Sequence, residues 1–151
     1  MTWRPHITVA AIIERGSRFL MVAENCEGEI VINQPAGHLE QNETLVEAVI
    51  RETLEETAWH INPSDVIGVY QWTNAQQRHT FIRIAFAGHC IEHEPMRKLD
   101  DGILKVLWLT RDDLEQQTHR LRSPMVMQCV DDYLAGRRYP LHILNALSNN
   151  E

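Results

Sequence analysis

The sequence predicts an α+β fold, in which a mixed β-sheet is covered by helices. Segments rich in β-branched residues recur through the chain, one central segment has the spacing of an amphipathic helix, and two helix-start signals follow near the C-terminus. This arrangement is typical of α+β domains. The length of 151 residues suits one domain over residues 1–151, with a core at about 4–136 and a C-terminal tail at 137–151.

Three strands are expected before the central helix. Residues 6–14 and 18–24 are rich in β-branched and other apolar residues, and the turn-forming segment 15–17 joins them as a hairpin. Residues 29–33 form a short strand that ends where proline and glycine predict a loop over 34–37. This loop leads towards the helix.

The middle of the chain predicts the central helix and three further strands. Residues 44–57 give the strongest helical pattern, and the segment INPSD at 61–65 predicts a break in the chain after it. The strands that follow are expected at 66–72, 79–87 and 103–109. A polar loop is expected at 92–102, before the last of them.

Two helices are expected near the C-terminus. Thr110 is a predicted N-cap, because acidic residues fill the turn that follows it. Ser123 and Pro124 predict the start of the second helix, since proline is favoured at the first helical position. That helix is expected to run to about Ala135 and to end at Gly136.

The composition disfavours several classes of protein. A formal net charge of −7 argues against a general nucleic-acid binder, which needs a basic face. The three cysteines are widely spaced, which favours a reducing compartment over a disulfide framework or a zinc site. No apolar run has the length of a membrane span or a secretory signal. We therefore expect a cytoplasmic monomer or homodimer without nucleic-acid or membrane partners.

Three glutamates lie close together on the central helix. At about 100° per residue, Glu52, Glu55 and Glu56 fall within an arc of roughly 100°, away from the apolar side that holds Val49 and Ile50. Like charges at these spacings repel, and a hard cation such as Mg²⁺ or Mn²⁺ would offset the repulsion. For an isolated acidic cluster, a solvated helix face is the alternative.

A longer pattern surrounds these glutamates. Four parts of it keep fixed spacings along the chain: Gly37, Glu43, Arg51–Glu52 and Glu55–Glu56. The pattern resembles the signature of the Nudix hydrolases, which cleave diphosphate linkages attached to another group. The resemblance implies a Nudix-type α/β/α sandwich, in which a mixed sheet carries the signature loop and helix together with C-terminal helices.

Two positions depart from the usual signature. Thr53 stands where an aliphatic residue is usual, and Ala58 stands where a glycine is usual. We expect the Thr53 hydroxyl to bond to the carbonyl four residues earlier, with little effect on stability. If residue 58 ends the helix in a left-handed conformation, alanine costs about 1–2 kcal/mol there.

The resemblance also implies a metal site that holds Mg²⁺ or Mn²⁺. Arg51 is expected to orient the glutamates by pairing with Glu52 or Glu43. The implied ligands are the Gly37 carbonyl and the carboxylates of Glu52, Glu55 and Glu56.

Members of the family differ in the residue that serves as general base. Here Glu52 and Glu56 are the main candidates, and Asp100 or Asp101 on the later polar loop is the alternative. A diphosphate is polyanionic, so a cation is needed to neutralise its oxygens before a water molecule can attack and a carboxylate can take the proton.

Short motifs outside the signature resemble one subgroup, the NudJ-type phosphatases. This resemblance implies hydrolysis of nucleoside tri- and diphosphates, and of the hydroxymethylpyrimidine diphosphate of thiamine synthesis, with release of orthophosphate. The motifs are PHITVA, NQPAGHLE, QW, LRSP and RRYPL, in that order along the chain.

Five residues are candidate contacts for the substrate, and each has a structural alternative. The amides could reach a base or a phosphate, or bond the backbone. The tryptophan could stack on a pyrimidine or lie in the core, the arginine could face the cleft or solvent, and the histidine could contact phosphate or be exposed. These residues are Asn33, Gln34, His38, Trp72 and Arg83.

Two other interpretations keep the same fold. The substrate could be ADP-ribose, a dinucleoside polyphosphate or an RNA 5′ end, although the acidic charge disfavours RNA. A nucleotide sensor without catalysis is expected to have lost signature glutamates, and this chain keeps all three.

Overall fold

The computed structural model describes residues 2–148 and confirms the α+β fold. Met1 and residues 149–151, which belong to the predicted domain and tail, lie outside the described part. Its strands are β1 (His6–Ile12), β2 (Glu14–Arg15), β3 (Arg18–Cys26), β4 (Glu29–Asn33), β5 (Ala36–His38), β6 (Trp59–Asn74), β7 (His79–His93), β8 (Ile103–Leu109) and β9 (Tyr139–Pro140). Its helices are α1 (Leu45–Thr57), α2 (Arg111–Gln116) and α3 (Pro124–Leu134), with 3₁₀ turns at Thr118–Arg120 and Leu141–Ile143.

The strands form two sheets, a larger mixed one and a smaller one whose pairs are all antiparallel. The larger has the order β5-β1-β7-β6-β9, with β1 parallel to β7 and its other pairs antiparallel. The smaller joins β2, β3 and β4, and β8 pairs with β3. Because neighbouring side chains alternate between faces, Phe86 of β7 packs with Val49 of α1, whereas Ala85 packs with Val126 of α3. The predicted helix–sheet–helix sandwich is therefore confirmed.

The three predicted helix starts are confirmed. The side chains of Thr44, Thr110 and Ser123 accept backbone N–H bonds at the starts of α1, α2 and α3. The Thr53 hydroxyl donates to the Val49 carbonyl at 2.7 Å, as expected for a threonine inside a helix. Local hydrogen bonding thus fixes where each helix begins.

Two boundaries predicted from proline and glycine are wrong. The segment 61–65 does not break the chain, because β6 passes through Pro63 and accommodates it with a register shift against β7. Gly88 lies opposite Pro63, and a Cβ there would lie 2.7 Å from the Asn62 carbonyl oxygen. The predicted loop 34–37 contains the start of β5, which pairs with β1. In both places, pairing with a neighbouring strand overrides the local signal.

The described part of the C-terminal tail packs on the domain. Tyr139 and Pro140 pair with β6, and Leu141 and Leu144 pack against the core on the α1 side. Within residues 2–148, no helix is both long enough and apolar enough to span a membrane.

Ala58 ends α1 in a left-handed conformation, with φ 64° and ψ 15°. This is the conformation in which alanine was expected to cost free energy. We expect Ala58→Gly to raise the free energy of unfolding by about 0.2–1.2 kcal/mol. The relief of about 1–2 kcal/mol of strain is partly offset by the loss of one buried methyl group, worth about 0.8 kcal/mol. Urea unfolding would measure the change, and a loss of stability would mean that the buried methyl group outweighs the strain.

Candidate active site

Helix α1 directs carboxylates into the protein rather than into solvent. Glu52 is 9% exposed and Glu56 is 8% exposed, and Glu55 is half-buried. A solvated acidic face, the alternative raised by the sequence, does not describe this helix. Buried carboxylates are stable only when charge partners or hydrogen bonds compensate for the lost water.

Gly37 on β5 lies directly against Glu52. A Cβ atom at residue 37 would lie 1.5 Å from Glu52 Oε2 and 2.1 Å from its Cδ. No side chain larger than hydrogen fits there while Glu52 keeps its position. Because Gly37 has no side chain, the backbone of β5 can lie close to the Glu52 carboxylate.

Arg51 joins three carboxylates of the signature. Its Nε and Nη2 atoms donate to Glu43 at 2.7 and 2.9 Å, and Nη1 donates to Glu52 and Glu55 at 2.7 and 2.9 Å. Nη2 also donates to the His38 carbonyl at 3.0 Å. The sequence predicted pairing with Glu52 or Glu43, and the structure has both pairs together with Glu55.

A carboxylate from a distant loop approaches the helix. One oxygen each from Glu52, Glu55 and Asp100 lies within 4.8 Å of the others. The Asp100 N–H donates to the Glu55 carbonyl at 3.0 Å, which ties the loop to α1. Asp101 is exposed and does not belong to this group. Three convergent carboxylate oxygens are the ligands that hard divalent cations prefer, so these residues suit such an ion.

Burial perturbs the two most enclosed carboxylates. Burial raises the pKa of Glu52 to about 7, although its bond to Arg51 opposes part of the rise. Burial also raises the pKa of Glu56 to about 9, against the effect of a hydrogen bond from the Ala36 N–H at 3.1 Å. Without a cation, Glu56 holds a proton near neutral pH and Glu52 is about half protonated, and cation binding has to displace these protons.

We expect the metal-free protein to lose stability as the pH rises from about 5 to about 9. The unfolded-state pKa of glutamate is about 4.3, so folding favours the protonated forms of Glu52 and Glu56. This contribution is fully present below the unfolded pKa and is lost as the pH passes about 7 and then about 9. Urea unfolding in EDTA should show a decrease of at least about 1 kcal/mol, the equivalent of one pKa unit.

The control for this pH dependence is Glu56→Gln, which removes the carboxyl group with the higher pKa. The variant should show a flatter dependence of stability on pH than the unmodified protein. Equal slopes in the two proteins would contradict the burial effect.

A cavity of about 410 Å³ lies beside these carboxylates and is lined by Glu52 and Glu56. Its volume falls in the usual range for sites that bind small molecules. Four of the predicted substrate residues line it, namely Asn33, His38, Trp72 and Arg83. The structure therefore brings the signature helix and most of the predicted contacts to one place.

Gln34, the fifth predicted contact, lies behind the cavity wall. It is 1% exposed, its Nε2 donates to the Val126 carbonyl at 2.8 Å, and its Oε1 accepts from Arg83 Nη1 at 2.8 Å. The amide is held by internal bonds, so the structural alternative describes Gln34 better than a direct contact with substrate. It positions Arg83.

The aromatic residues of the cavity stack on each other. Trp72 is half-buried, and the centroid of its ring lies 5.7 Å from that of the Phe81 ring, with an angle of 21° between the ring planes. His38 is exposed, and its Nε2 lies 3.1 Å from His6 Nδ1. Trp72 thus belongs to the cavity wall rather than to the hydrophobic core.

Sequence analysis missed an ion pair in the cavity wall. Arg122 Nη1 donates to Glu24 at 2.6 Å, and both residues line the cavity. The two residues are 98 positions apart. No local pattern links them, although Arg122 stands in the LRSP motif.

Comparison with known proteins gives consistent matches over most of the chain. Residues 4–129 match the family described as the NUDIX domain. The phosphatase NudJ of Escherichia coli K12 is 38% identical over 142 residues, covering 94% of this chain and 92% of that protein. A solved NUDIX hydrolase from Nitrosomonas europaea superposes with a TM-score of 0.95 at 42% identity, over 97% of this chain and 100% of that one.

A more distant structure supports the fold alone. A UDP-X diphosphatase superposes with a TM-score of 0.72 at 18% identity, over 93% of this chain and 68% of that one.

Fold, site and matches together define a hydrolase that acts on phosphoric anhydrides. Such enzymes generally use a divalent metal, and the acidic cluster on α1 suits one. The chain belongs to the Nudix family. Its predicted resemblance to the NudJ-type phosphatases is confirmed by a match that covers nearly its whole length.

Proposed function

We propose that this protein is a metal-dependent phosphatase of small diphosphate compounds. Its expected substrates are nucleoside tri- and diphosphates and hydroxymethylpyrimidine diphosphate, and its expected product is orthophosphate. The observation that carries the proposal is the convergence of Glu52, Glu55 and Asp100, since Glu52 also lines an open cavity of about 410 Å³. Similarity to the phosphatase NudJ supports the release of phosphate as the reaction type.

The metal is proposed to be Mg²⁺, with Mn²⁺ as a substitute. When bound, such an ion neutralises phosphate oxygens and lowers the pKa of an attached water molecule. Arg51 holds Glu52 and Glu55 in place through its fork of hydrogen bonds. The proposed ligands are the Gly37 carbonyl and the carboxylates of Glu52, Glu55 and Glu56, with Asp100 as a further ligand from the loop.

Glu56 is the better candidate for general base. Glu52 is committed to an ion pair with Arg51 at 2.7 Å, whereas Glu56 has no ion pair within residues 2–148. Glu56 also lines the cavity, and displacement of its proton by cation binding would leave a carboxylate that can accept a proton from water. Asp101 is exposed and outside the acidic group, so it is the least suited of the candidates.

The remaining cavity wall is proposed to bind the rest of the substrate. The stacked rings of Trp72 and Phe81 offer a flat apolar surface to a pyrimidine or other base. Asn33 and His38 line the same cavity and supply polar groups. A compact ring with a short diphosphate chain would use both halves of the site.

Phosphorus NMR of product release tests the proposal. The panel holds nucleoside di- and triphosphates, hydroxymethylpyrimidine diphosphate and ADP-ribose, with and without Mg²⁺. We expect metal-dependent orthophosphate release from the first two groups, reduced by at least about 10–100-fold in Glu55→Gln. Asp100→Asn should also lower activity, whereas its neighbour Asp101→Asn is the matched control and should not.

Two other outcomes would change the proposal. Pyrophosphate or mononucleotide products would keep the chemistry and favour a pyrophosphohydrolase of ADP-ribose or a dinucleoside polyphosphate. Binding of nucleotide without any turnover would favour a sensor.

A further inference from the structure

Arg83 is a buried cation without an anionic partner in the described part of the chain. The residue is only 3% exposed, and it lies on β7 in the lining of the cavity. Nη1 donates to Gln34 Oε1 at 2.8 Å and Nη2 donates to Asn33 Oδ1 at 3.1 Å. Both acceptors are neutral amides, and Nε has no hydrogen-bond partner. Within residues 2–148, no carboxylate lies in ion-pair distance of this guanidinium.

The neighbouring titratable groups do not supply the missing charge. The buried thiol of Cys129 interacts with Arg83, and burial raises the pKa of that thiol, so it is neutral at pH 7. Glu24, a carboxylate in the lining of the same cavity, is paired with Arg122. A charge taken out of water without a partner is unfavourable, so retaining Arg83 here requires compensation from outside the chain.

The guanidinium is held in a fixed orientation. Gln34 is itself anchored, because its Nε2 donates to the Val126 carbonyl of α3 at 2.8 Å. A guanidinium has five N–H donors, and the two amides engage one each, which leaves one N–H on each of Nη1 and Nη2 besides the buried Nε–H. A planar fork that is already oriented binds an oxyanion with little loss of side-chain freedom.

We propose that Arg83 forms a phosphate subsite that operates without a divalent cation. Its ligand is a phosphate oxyanion, either free orthophosphate or the non-reacting oxygens of a substrate's phosphate chain. The identity of the natural ligand rests on the proposed function. Binding of phosphate to Arg83, however, can be measured without any hydrolysis. Occupancy by orthophosphate makes the product a competitive inhibitor.

The subsite leads to an unusual expectation for stability. If Arg83 were retained for structure, its removal would destabilise the protein. If it is retained for an anion, Asn33→Asp supplies the missing charge from within and should not lower the unfolding temperature. The same isosteric change should weaken phosphate binding, because the guanidinium then has an internal partner.

The test is calorimetric titration of the full-length protein with inorganic phosphate in EDTA, together with thermal unfolding of the same samples. We expect binding by the unmodified protein and an affinity at least about tenfold weaker in both Arg83→Gln and Asn33→Asp. Arg120→Gln, an exposed arginine outside the cavity, matches the charge change of the first variant and should stay within about twofold.

Separate results would overturn the subsite and the proposed function. Absence of metal-free phosphate binding by the unmodified protein, or equal affinity in Arg83→Gln, overturns the subsite even if the enzyme hydrolyses diphosphates. A fall in unfolding temperature in Asn33→Asp with unchanged phosphate affinity also overturns it. Phosphate binding that depends on Arg83, in a protein that hydrolyses none of the panel, supports the subsite and contradicts the proposed function.

Discussion

Gly37→Ala is expected to lower hydrolysis by on the order of 100-fold while leaving the protein folded. The added methyl group would lie 1.5 Å from Glu52 Oε2, so the carboxylate has to move away from its position. A displacement of about 1 Å in a catalytic group is sufficient for a loss of this size. Activity in Mg²⁺ and the stabilisation by Mg²⁺ in thermal unfolding should fall together.

A double-mutant cycle with Glu52→Gln tests the cause of that loss. If Gly37→Ala acts by displacing Glu52, the two substitutions remove the same interaction and their effects should not add. Fully additive losses would mean that the methyl group acts elsewhere, for instance on the backbone of β5. Circular dichroism of each variant checks that the fold is retained.

Arg51→Gln is expected to lower the free energy of unfolding by about 2–4 kcal/mol in EDTA. Removing one partner of a buried ion pair costs about 3–5 kcal/mol, and the arginine side chain is 21% exposed, which reduces the effect. The loss would leave the carboxylates of Glu43, Glu52 and Glu55 to repel one another. Urea unfolding measures the change.

Arg111→Gln is the matched control, since Arg111 also bridges two carboxylates, those of Glu115 and Asp131. Its partners are 62% and 41% exposed, so solvent screens the pairs and the loss should be much smaller than that in Arg51→Gln. Saturating Mg²⁺ should restore more stability to Arg51→Gln than to the unmodified protein, because the cation replaces part of the lost positive charge. Equal losses in the two variants would contradict the central place given to Arg51.

The sequence was most informative where structure depends on neighbours along the chain. The starts of α1, α2 and α3 follow from Thr44, Thr110 and Ser123, because each cap bonds to a backbone N–H within three residues. The expectation that the three glutamates share one side of α1 rests on the same kind of local rule, since a helix has a fixed period.

Features that depend on distant partners were beyond the reach of the sequence. Pro63 predicts a chain break by itself, and only the pairing of β6 with β7 explains why the strand continues. Gln34 looked like a polar contact for a ligand because its internal partners, Arg83 and the Val126 carbonyl, lie 49 and 92 positions away. The approach of Asp100 to α1 likewise depends on a loop bond that no periodic pattern reveals.

The residues that line the cavity have different origins along the chain. The signature residues of the lining come from one continuous stretch between Gly37 and Glu56, whereas Trp72, Arg83 and Arg122 come from separate segments. Trp72, Arg83 and Arg122 lie outside the helix that carries the carboxylates, so a substitution at one of them changes a contact that this helix does not supply. In evolutionary terms, single substitutions outside this helix can change which substrate is preferred while the metal-binding residues stay the same.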